Sequence, residues 1–403
     1  MKILMISDVY FPRINGVSTS IATFRRELEA QGHEAHLIAP DYGLLMEDER
    51  FIHRIPSRAV ILDPEDRMMK MGDVLAMRDW LHQADFDIVH IQTPFLAHYL
   101  GVRLAKELGV PKVETYHTFF EEYLYHYVPF LPRRFMRFLA RRLSSHQCNN
   151  LDGLVVPSTS MLDVLRRYGI ESHAEVIPTG LEPESFEPGN GPAFRLKHGI
   201  PAQRPVMAYI GRVAFEKNIT FLLKVAARIR QSIPEVLLVV AGEGPALPRL
   251  RQEVEDLGIS NNVSFVGYLD RRRALPDCYR AADVFVFASH TETQGLVLLE
   301  AMAQGVPVVA LAKMGAKDVL RQGEGALIAE DDIGDFSAKV MQLLAGKDAA
   351  SRLGALGKAY AGTWSAGMLA EKLTHFYHGV IERHAEVPTA NPDRRMNSCL
   401  SEE

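Results

Sequence analysis

Residues 182–205 divide this chain in two. They hold Pro183, Pro188, Gly189, Gly191, Pro192, Pro201 and Pro205. A run so rich in proline and glycine continues neither a helix nor a sheet ladder, and it leaves room for only a short helix near Phe194–His198. On each side an alternation of apolar strands and amphipathic helices begins afresh, which is the pattern of a parallel α/β sheet. The 403 residues also exceed what one hydrophobic core supports. The expected architecture is α/β, with two doubly wound, Rossmann-like domains facing a central cleft. Residues 1–183 form the first domain, 184–205 the linker, 206–363 the second domain, 364–385 a C-terminal helix and 386–403 a disordered tail.

Composition narrows the function classes. With 47% apolar and 24% charged residues the chain is an ordinary globular one, and a net charge of −5 implies no general affinity for nucleic acid. Cys148, Cys278 and Cys399 are odd in number and far apart. They fit neither a zinc spacing nor a disulfide framework, so a reducing cytoplasm is expected. Met1–Val9 is too short for a signal peptide, and no window approaches eighteen consecutive apolar residues.

In the first half, a strand Lys2–Ser7 runs into Asp8-Val-Tyr-Phe-Pro-Arg-Ile-Asn15-Gly16-Val-Ser18, followed by a helix from about Thr19 to Gln31. A strand, a glycine turn and a helix at the start of such a pattern form a ligand-binding corner. Asn15-Gly16-Val17 is not G-x-G-x-x-G, so the dinucleotide fingerprint is absent there. Gly16 is expected in a tight turn with positive φ. Glu34–Ala39 reads as the second strand, and Arg67-Met-Met-Lys-Met71 as a helix packing methionines into the core in preference to a lipid contact. Asp87–Gln92 is a strand, Ala97–Leu108 a helix, and Lys112–Thr115 a strand that ends near His117. A lone histidine is more often structural, yet this one sits where open α/β sheets bind ligands. Phe130–Leu143 holds five arginines, and no acid occurs between Glu122 and Asp152. Leu131, Phe135, Phe138, Leu139 and Arg142 fall at helical spacing, so an apolar face adjoins a cationic one. Such a helix either lies on an anionic membrane or docks on its own sheet with arginines facing the cleft or solvent.

The second half opens with a strand and its exit, Val206–Arg212, then Phe215-Glu-Lys217-Asn218 and a helix Thr220–Arg230. Val236–Ala241 is a buried strand whose exit, Gly242-Glu-Gly244-Pro245, lacks the third glycine of a nicotinamide site. Val263–Leu269 is a strand and loop, and Arg271-Arg-Arg273 reads as a solvated helix start. Then come a strand Val284–Ala288, a polar loop, a helix Gly295–Ala303 and a strand Val308–Ala310. The open N-terminus of that helix suits a phosphate. Glu292 precedes the helix and Glu300 follows eight residues later, slightly over two turns on, so both carboxylates can reach one ligand at different depths.

Ser289-His-Thr-Glu-Thr-Gln-Gly-Leu-Val-Leu-Leu-Glu-Ala-Met-Ala-Gln-Gly-Val-Pro307 resembles the E-x7-E element of the family 4 retaining glycosyltransferases, which have the GT-B fold. Gly211-Arg212-x4-Lys217 is similar to that family's G-R-x4-K element, and the Asn15-Gly16-Val17-Ser18 corner to its first loop. Ile91-Gln-Thr-Pro-Phe95, Thr115-Tyr-His-Thr-Phe-Phe-Glu-Glu-Tyr-Leu-Tyr-His-Tyr-Val-Pro129 and Thr291-Glu-Thr-Gln-Gly295 resemble the bacterial 1,2-diacylglycerol 3-alpha-glucosyltransferases in particular. Lys313-Met-Gly-Ala-Lys-Asp318 departs from the Gly-Gly-x-x-Glu common in the wider family, which leaves the donor contacts there open.

This resemblance implies an enzyme, a retaining hexosyltransferase moving a hexose, with glucose the sugar of the resembling enzymes, from a UDP-sugar to a lipid hydroxyl, with diacylglycerol as acceptor; no residue type here separates glucose from galactose or glucuronic acid. It implies catalytic roles for Glu292, His117, Arg212 and Lys217. It adds donor contacts at Gly16, Tyr268, Leu269, Thr293, Gln294, Gly295, Leu296, Val297 and Glu300, with Tyr268 and Leu269 beside the nucleobase. Acceptor or membrane contacts are expected from Asn15, Tyr116, Phe119, Glu122, Tyr123, Arg133, Arg134, Phe135, Arg137 and Phe138. No D-x-D element sits at a strand exit, so neither a metal site nor a tightly bound cofactor is expected, with a divalent cation at most a stimulant. The expected partners are a nucleotide sugar, a lipid acceptor and an anionic membrane, at the inner face of the cell membrane; nucleic acid is not among them. In this fold the last helix crosses back to the first domain. Two other readings stay open: a GT-B mannosyltransferase acting on an inositol lipid or polysaccharide, and a nucleotide-sugar binder without catalysis.

Overall fold

The computed structural model describes residues 1–13, 15–43, 50–60, 63–117, 133–271 and 273–386, with side chains left out at 60, 63–66 and 133–137. The first half holds β1 (Lys2–Ile6), β2 (Glu34–Pro40), β3 (Ile52–Ile55), β4 (Ser57–Val60), β5 (Asp63–Met69), β6 (Ile88–Ile91), β7 (Lys112–Thr115), β8 (Gly153–Val156) and β9 (Ala174–Val176). Seven of these form one parallel sheet in the order β3-β2-β1-β6-β7-β8-β9, while β4 and β5 pair antiparallel beside it. The second half holds β10 (Val206–Ile210), β11 (Leu237–Ala241), β12 (Val263–Gly267), β13 (Val284–Phe287), β14 (Val308–Leu311) and β15 (Ala326–Ala329), in the order β12-β11-β10-β13-β14-β15. Both sheets are the doubly wound, Rossmann-like type. Each reverses its winding at one place, between β1 and β6 and between β10 and β13, and a crevice for ligands opens there at the carboxyl ends of the strands.

The central strands are buried on both faces, as parallel strands under helices must be, while the edge strands β3, β9 and β12 are half-buried. Leu237–Ala241 and Val284–Phe287 are buried throughout. The C-terminal helix, Ala366–Glu386, packs on the first half: Ala370, Leu373, Phe376, Tyr377 and Val380 share a core with Ile3, Met5, Ile21 and Leu28. Gly153 makes this approach possible, because a Cβ there would stand 2.7 Å from Phe376 and 2.9 Å from Val380. The two chain crossings between the halves lie side by side: Leu181 N–H donates to Trp364 O (2.7 Å) and Ala366 N–H to Leu181 O (2.8 Å). Within residues 184–205 the short helix Gly191–Lys197 packs on the helix Ala274–Ala281, where a Cβ on Gly189 or Gly191 would come within 2.3 Å of its backbone.

Two local expectations change. Arg67–Met71 is not a helix: β5 runs through Met69, with Met69 buried and Met68 37% exposed. This is the two-residue alternation of a strand, which three methionines in five residues conceal. Gly16 is not in a positive-φ turn but is the first residue of the helix Gly16–Ala30. Asn15 starts that helix three residues early by accepting the Ser18 N–H at 2.8 Å.

Three histidines, His90 buried and His53 and His117 half-buried, are expected to make the fold acid-sensitive. Burial lowers His117 to about 4, His53 to about 4 with help from the neighbouring His36, and His90 to about 3. His90 is fixed between Tyr377 OH (2.5 Å) and Thr115 Oγ1 (2.7 Å). The unfolded chain protonates these rings near pH 6.5, so below that pH it binds more protons than the fold does. Stability is therefore expected to fall from about pH 6.5 towards about pH 4, by up to ~1.4 kcal/mol per pH unit for each histidine. Urea midpoints taken between about pH 7 and about pH 5 check this; a constant midpoint would contradict it.

Candidate active site

The geometry of the loop between β13 and the next helix follows from one glycine. Gly295 caps the helix Leu296–Ala303 at φ +97°, a left-handed backbone that side chains rarely adopt. The loop can thus turn sharply, leaving the N–H groups of Leu296 and Val297 in the open first turn. Glu292 folds back on this turn, its Oε1 accepting from Gly295 N (3.2 Å) and Gln294 N (3.4 Å). Its Oε2 lies 2.8 Å from Lys217 Nζ. Burial pushes this carboxyl up, but the Lys217 charge and the backbone N–H groups outweigh it and hold the group below the usual carboxylate range.

Lys217 arrives from the other side of the winding reversal, on the turn Phe215–Lys217 after β10. Two bonds stitch that turn to the exit of β13: Asn218 Nδ2 donates to Ala288 O (3.2 Å) and Ser289 Oγ to Glu216 O (3.3 Å). Arg212 is held loosely, 47% exposed and 3.9 Å from Glu216. The loop after β11 lies against it so closely that a Cβ on Gly242 would be 2.0 Å from Gly211 O, and one on Gly244 2.4 Å from Val213 O. The two glycines of that turn serve this loop-on-loop packing.

Glu300 is buried and doubly bound. Arg271 Nη2 lies 2.5 Å from Oε1, and Tyr279 OH donates to Oε2 at 2.8 Å. Arg271 is therefore not a solvated helix start. The Glu300 charge raises its pKa, and the pair fixes the carboxylate's orientation. Sequence reasoning missed both partners. The arginine run at the exit of β12 was a signal for Arg271; Tyr279 had none.

The description Glycosyltransferase Family 4 matches residues 14–185, and Glycosyl transferases group 1 matches residues 192–360. An alpha-monoglucosyldiacylglycerol synthase of Streptococcus pneumoniae is 35% identical over 320 residues, 77% of this chain and 71% of that one. Another from Acholeplasma laidlawii is 30% identical over 322 residues, 77% of this chain and 80% of that one. The chain is a family 4 retaining glycosyltransferase. Its fold matches sucrose-phosphate synthase from Thermosynechococcus elongatus with a TM-score of 0.78 over 95% of this chain and 99% of that one; at 21% identity this likeness shows the GT-B fold alone.

The remaining residues expected from the family fall into three groups. Some stand at the strand exits. A Cβ on Gly16 would meet nothing within 4 Å, so packing does not require glycine there. Tyr268 is 49% exposed beyond β12, with Leu269 buried behind it. His117 leaves β7 with its Nε2 3.2 Å from Gln92 Oε1, and its low pKa keeps the ring neutral. Others serve structure instead. The Tyr116 ring is buried in the core with its OH 3.0 Å from Ser144 Oγ, so it is not an acceptor contact. The Asn15 side chain is occupied as the helix cap. The Gln294 side chain pairs with Thr179, whose N–H donates to Oε1 (2.8 Å) and whose carbonyl accepts from Nε2 (2.6 Å). That amide ties the donor loop to the crossing between domains; only the Gln294 backbone remains at the helix start. Thr293 offers its backbone too, its carbonyl 2.1 Å from where a Gly315 Cβ would be. A third group, Phe119, Glu122, Tyr123 and the side chains of Arg133, Arg134, Phe135 and Arg137, lies outside the described residues, as does the tail beyond 386.

Phe138 is described, at 60% exposure, beside Leu139 at 43%. Their helix, Arg133–Cys148, buries Ala140, Ser144, Gln147 and Cys148 and turns Phe138, Leu139, Arg141 and Arg142 outward. Its inner face is small and polar, and its outer one joins apolar to cationic side chains. Among the described residues no helix is long and apolar enough to cross a membrane.

Proposed function

We propose that this enzyme transfers glucose from UDP-glucose to the free hydroxyl of 1,2-diacylglycerol at an anionic membrane surface, with retention at the anomeric carbon. The observation that carries the lipid reading is the outward face of the helix Arg133–Cys148. Exposed Phe138 and Leu139 stand next to Arg141 and Arg142, on a chain 35% identical to a protein named for making a glucosyl-diacylglycerol. Burying two apolar side chains among lipids offsets the cost of desolvation, and each arginine near anionic headgroups contributes about 1 kcal/mol.

The chemistry divides among the strand exits. Arg212, Lys217 and the first-turn N–H groups of Leu296 and Val297 receive the diphosphate and stabilise the charge it gains as the C1–O bond breaks. Lys217 turns from Glu292 towards phosphate when donor enters. Glu300, oriented by Arg271 and Tyr279, accepts from the ribose hydroxyls. Tyr268 and Leu269 flank the base. Glu292 holds sugar hydroxyls, and its ionised state offsets the positive charge that develops on the ring. Neutral His117 bonds a sugar hydroxyl without acting as an acid. The bare backbone at Gly16 lets donor and acceptor approach. The acceptor oxygen attacks C1 from the face the diphosphate leaves, and the departing phosphate oxygen takes the hydroxyl proton. No tightly bound cofactor enters this scheme.

The membrane part is tested by sedimentation with vesicles containing phosphatidylglycerol. Phe138→Ser with Leu139→Ser is expected to lower vesicle binding about tenfold or more and to slow transfer to diacylglycerol, while UDP binding stays unchanged. Equal binding by the double variant would sink the role of this face.

A further inference from the structure

The loop after β14 reaches the other domain. Met314 has φ +48°, a left-handed backbone uncommon outside glycine. Its side chain packs against the apolar cluster of the first domain, to which Leu162 and Tyr168 also belong. Four residues on, the Asp318 carboxylate accepts the Thr159 N–H and, at 2.8 Å, the Thr159 hydroxyl. It thereby adds an acceptor to the N-terminus of the helix Thr159–Arg167, which Ser158 already caps through Met161 N (3.2 Å). Between these two contacts, Gly315 N–H donates to Glu292 O at 2.8 Å, and the same glycine leaves room for the Thr293 carbonyl. One short loop thus grips the first domain at both ends and the backbone of the donor loop at its middle.

We propose that Lys313–Asp318 is a clasp between the domains. Met314 and Asp318 are positioning residues that hold the cleft closed, and Gly315 transmits that closure to Glu292. The strained backbone at Met314 persists because packing on the first domain and the bonds at Gly315 and Asp318 over-determine it. The clasp rests on the transferase reading of this site. It predicts a division of labour: donor affinity comes from the second domain, and productive closure from this loop.

The test uses the full chain with Asp318→Ala, Met314→Gly and the double variant. Each single change is expected to lower kcat for transfer about tenfold and to raise the share of donor lost to water, while UDP affinity by calorimetry stays within about twofold. Thr159→Ala added to Asp318→Ala is expected to cost nothing more, because the two act as one contact. Small-angle scattering of the UDP-saturated double variant gives a larger radius of gyration than that of the native protein. Unchanged transfer in the double variant overturns the clasp, and so does a UDP affinity that falls in step with kcat, which would make the loop part of the donor site. If the native protein turns over no donor at all, the transferase reading fails, and scattering alone decides the clasp: equal radii overturn it and a larger radius keeps it.

Discussion

Replacing Lys217 by alanine is expected to slow sugar transfer by about a thousandfold. Two losses combine. The diphosphate loses a cation as its charge grows, and Glu292 loses the ammonium group 2.8 Å from its Oε2. Burial then acts on the carboxylate against the backbone N–H groups alone, so its pKa rises. The ionised form that supports the sugar is present only above that pKa. The acid limb of kcat/KM against pH therefore moves to higher pH in Lys217→Ala, and Lys217→Arg, which keeps the charge, restores much of the rate. An acid limb that stays in place would show that Lys217 does not control Glu292.

Glu300→Gln is the second large effect. The native carboxylate takes Arg271 on one oxygen and Tyr279 on the other. The amide keeps the shape but turns an acceptor into a donor and leaves the Arg271 charge without its partner, at a cost of roughly 1–3 kcal/mol. Donor kcat/KM is expected to fall about a hundredfold and UDP affinity about tenfold or more. Tyr279→Phe, which removes one bond and no charge, loses much less. Calorimetry with UDP and donor kinetics on the two variants check the order. Equal losses would place the role of Glu300 elsewhere.

Much of this site is legible in the sequence because its chemistry is local. Glu292, Gly295 and Glu300 lie within one strand–loop–helix unit, and Arg212 and Lys217 lie five residues apart at one strand exit, so each set forms a continuous string whose resemblance to the family's elements implies the roles; the spacing alone would not. The two sheets are legible for a related reason: β10, β11 and β13 are continuous apolar runs, a pattern that needs no tertiary knowledge. What escaped is what long-range contacts decide. Gln294 sits among donor residues in sequence, yet its amide is claimed by Thr179, 115 positions away. Tyr116 adjoins His117, but the fold turns its ring into the core. Arg271 finds Glu300 only once β12 and the donor helix come together. The strand through Met69 was hidden because its outward methionine is as apolar as its inward one.

The central claim is tested most directly by incubating the purified protein with UDP-glucose and diacylglycerol in phosphatidylglycerol micelles and examining the lipid product by mass and by its anomeric proton coupling. The predicted result is an α-glucosyl-diacylglycerol that the Glu292→Ala protein does not make. A β-linked product, or no transfer to diacylglycerol under conditions where UDP binds, would contradict the account.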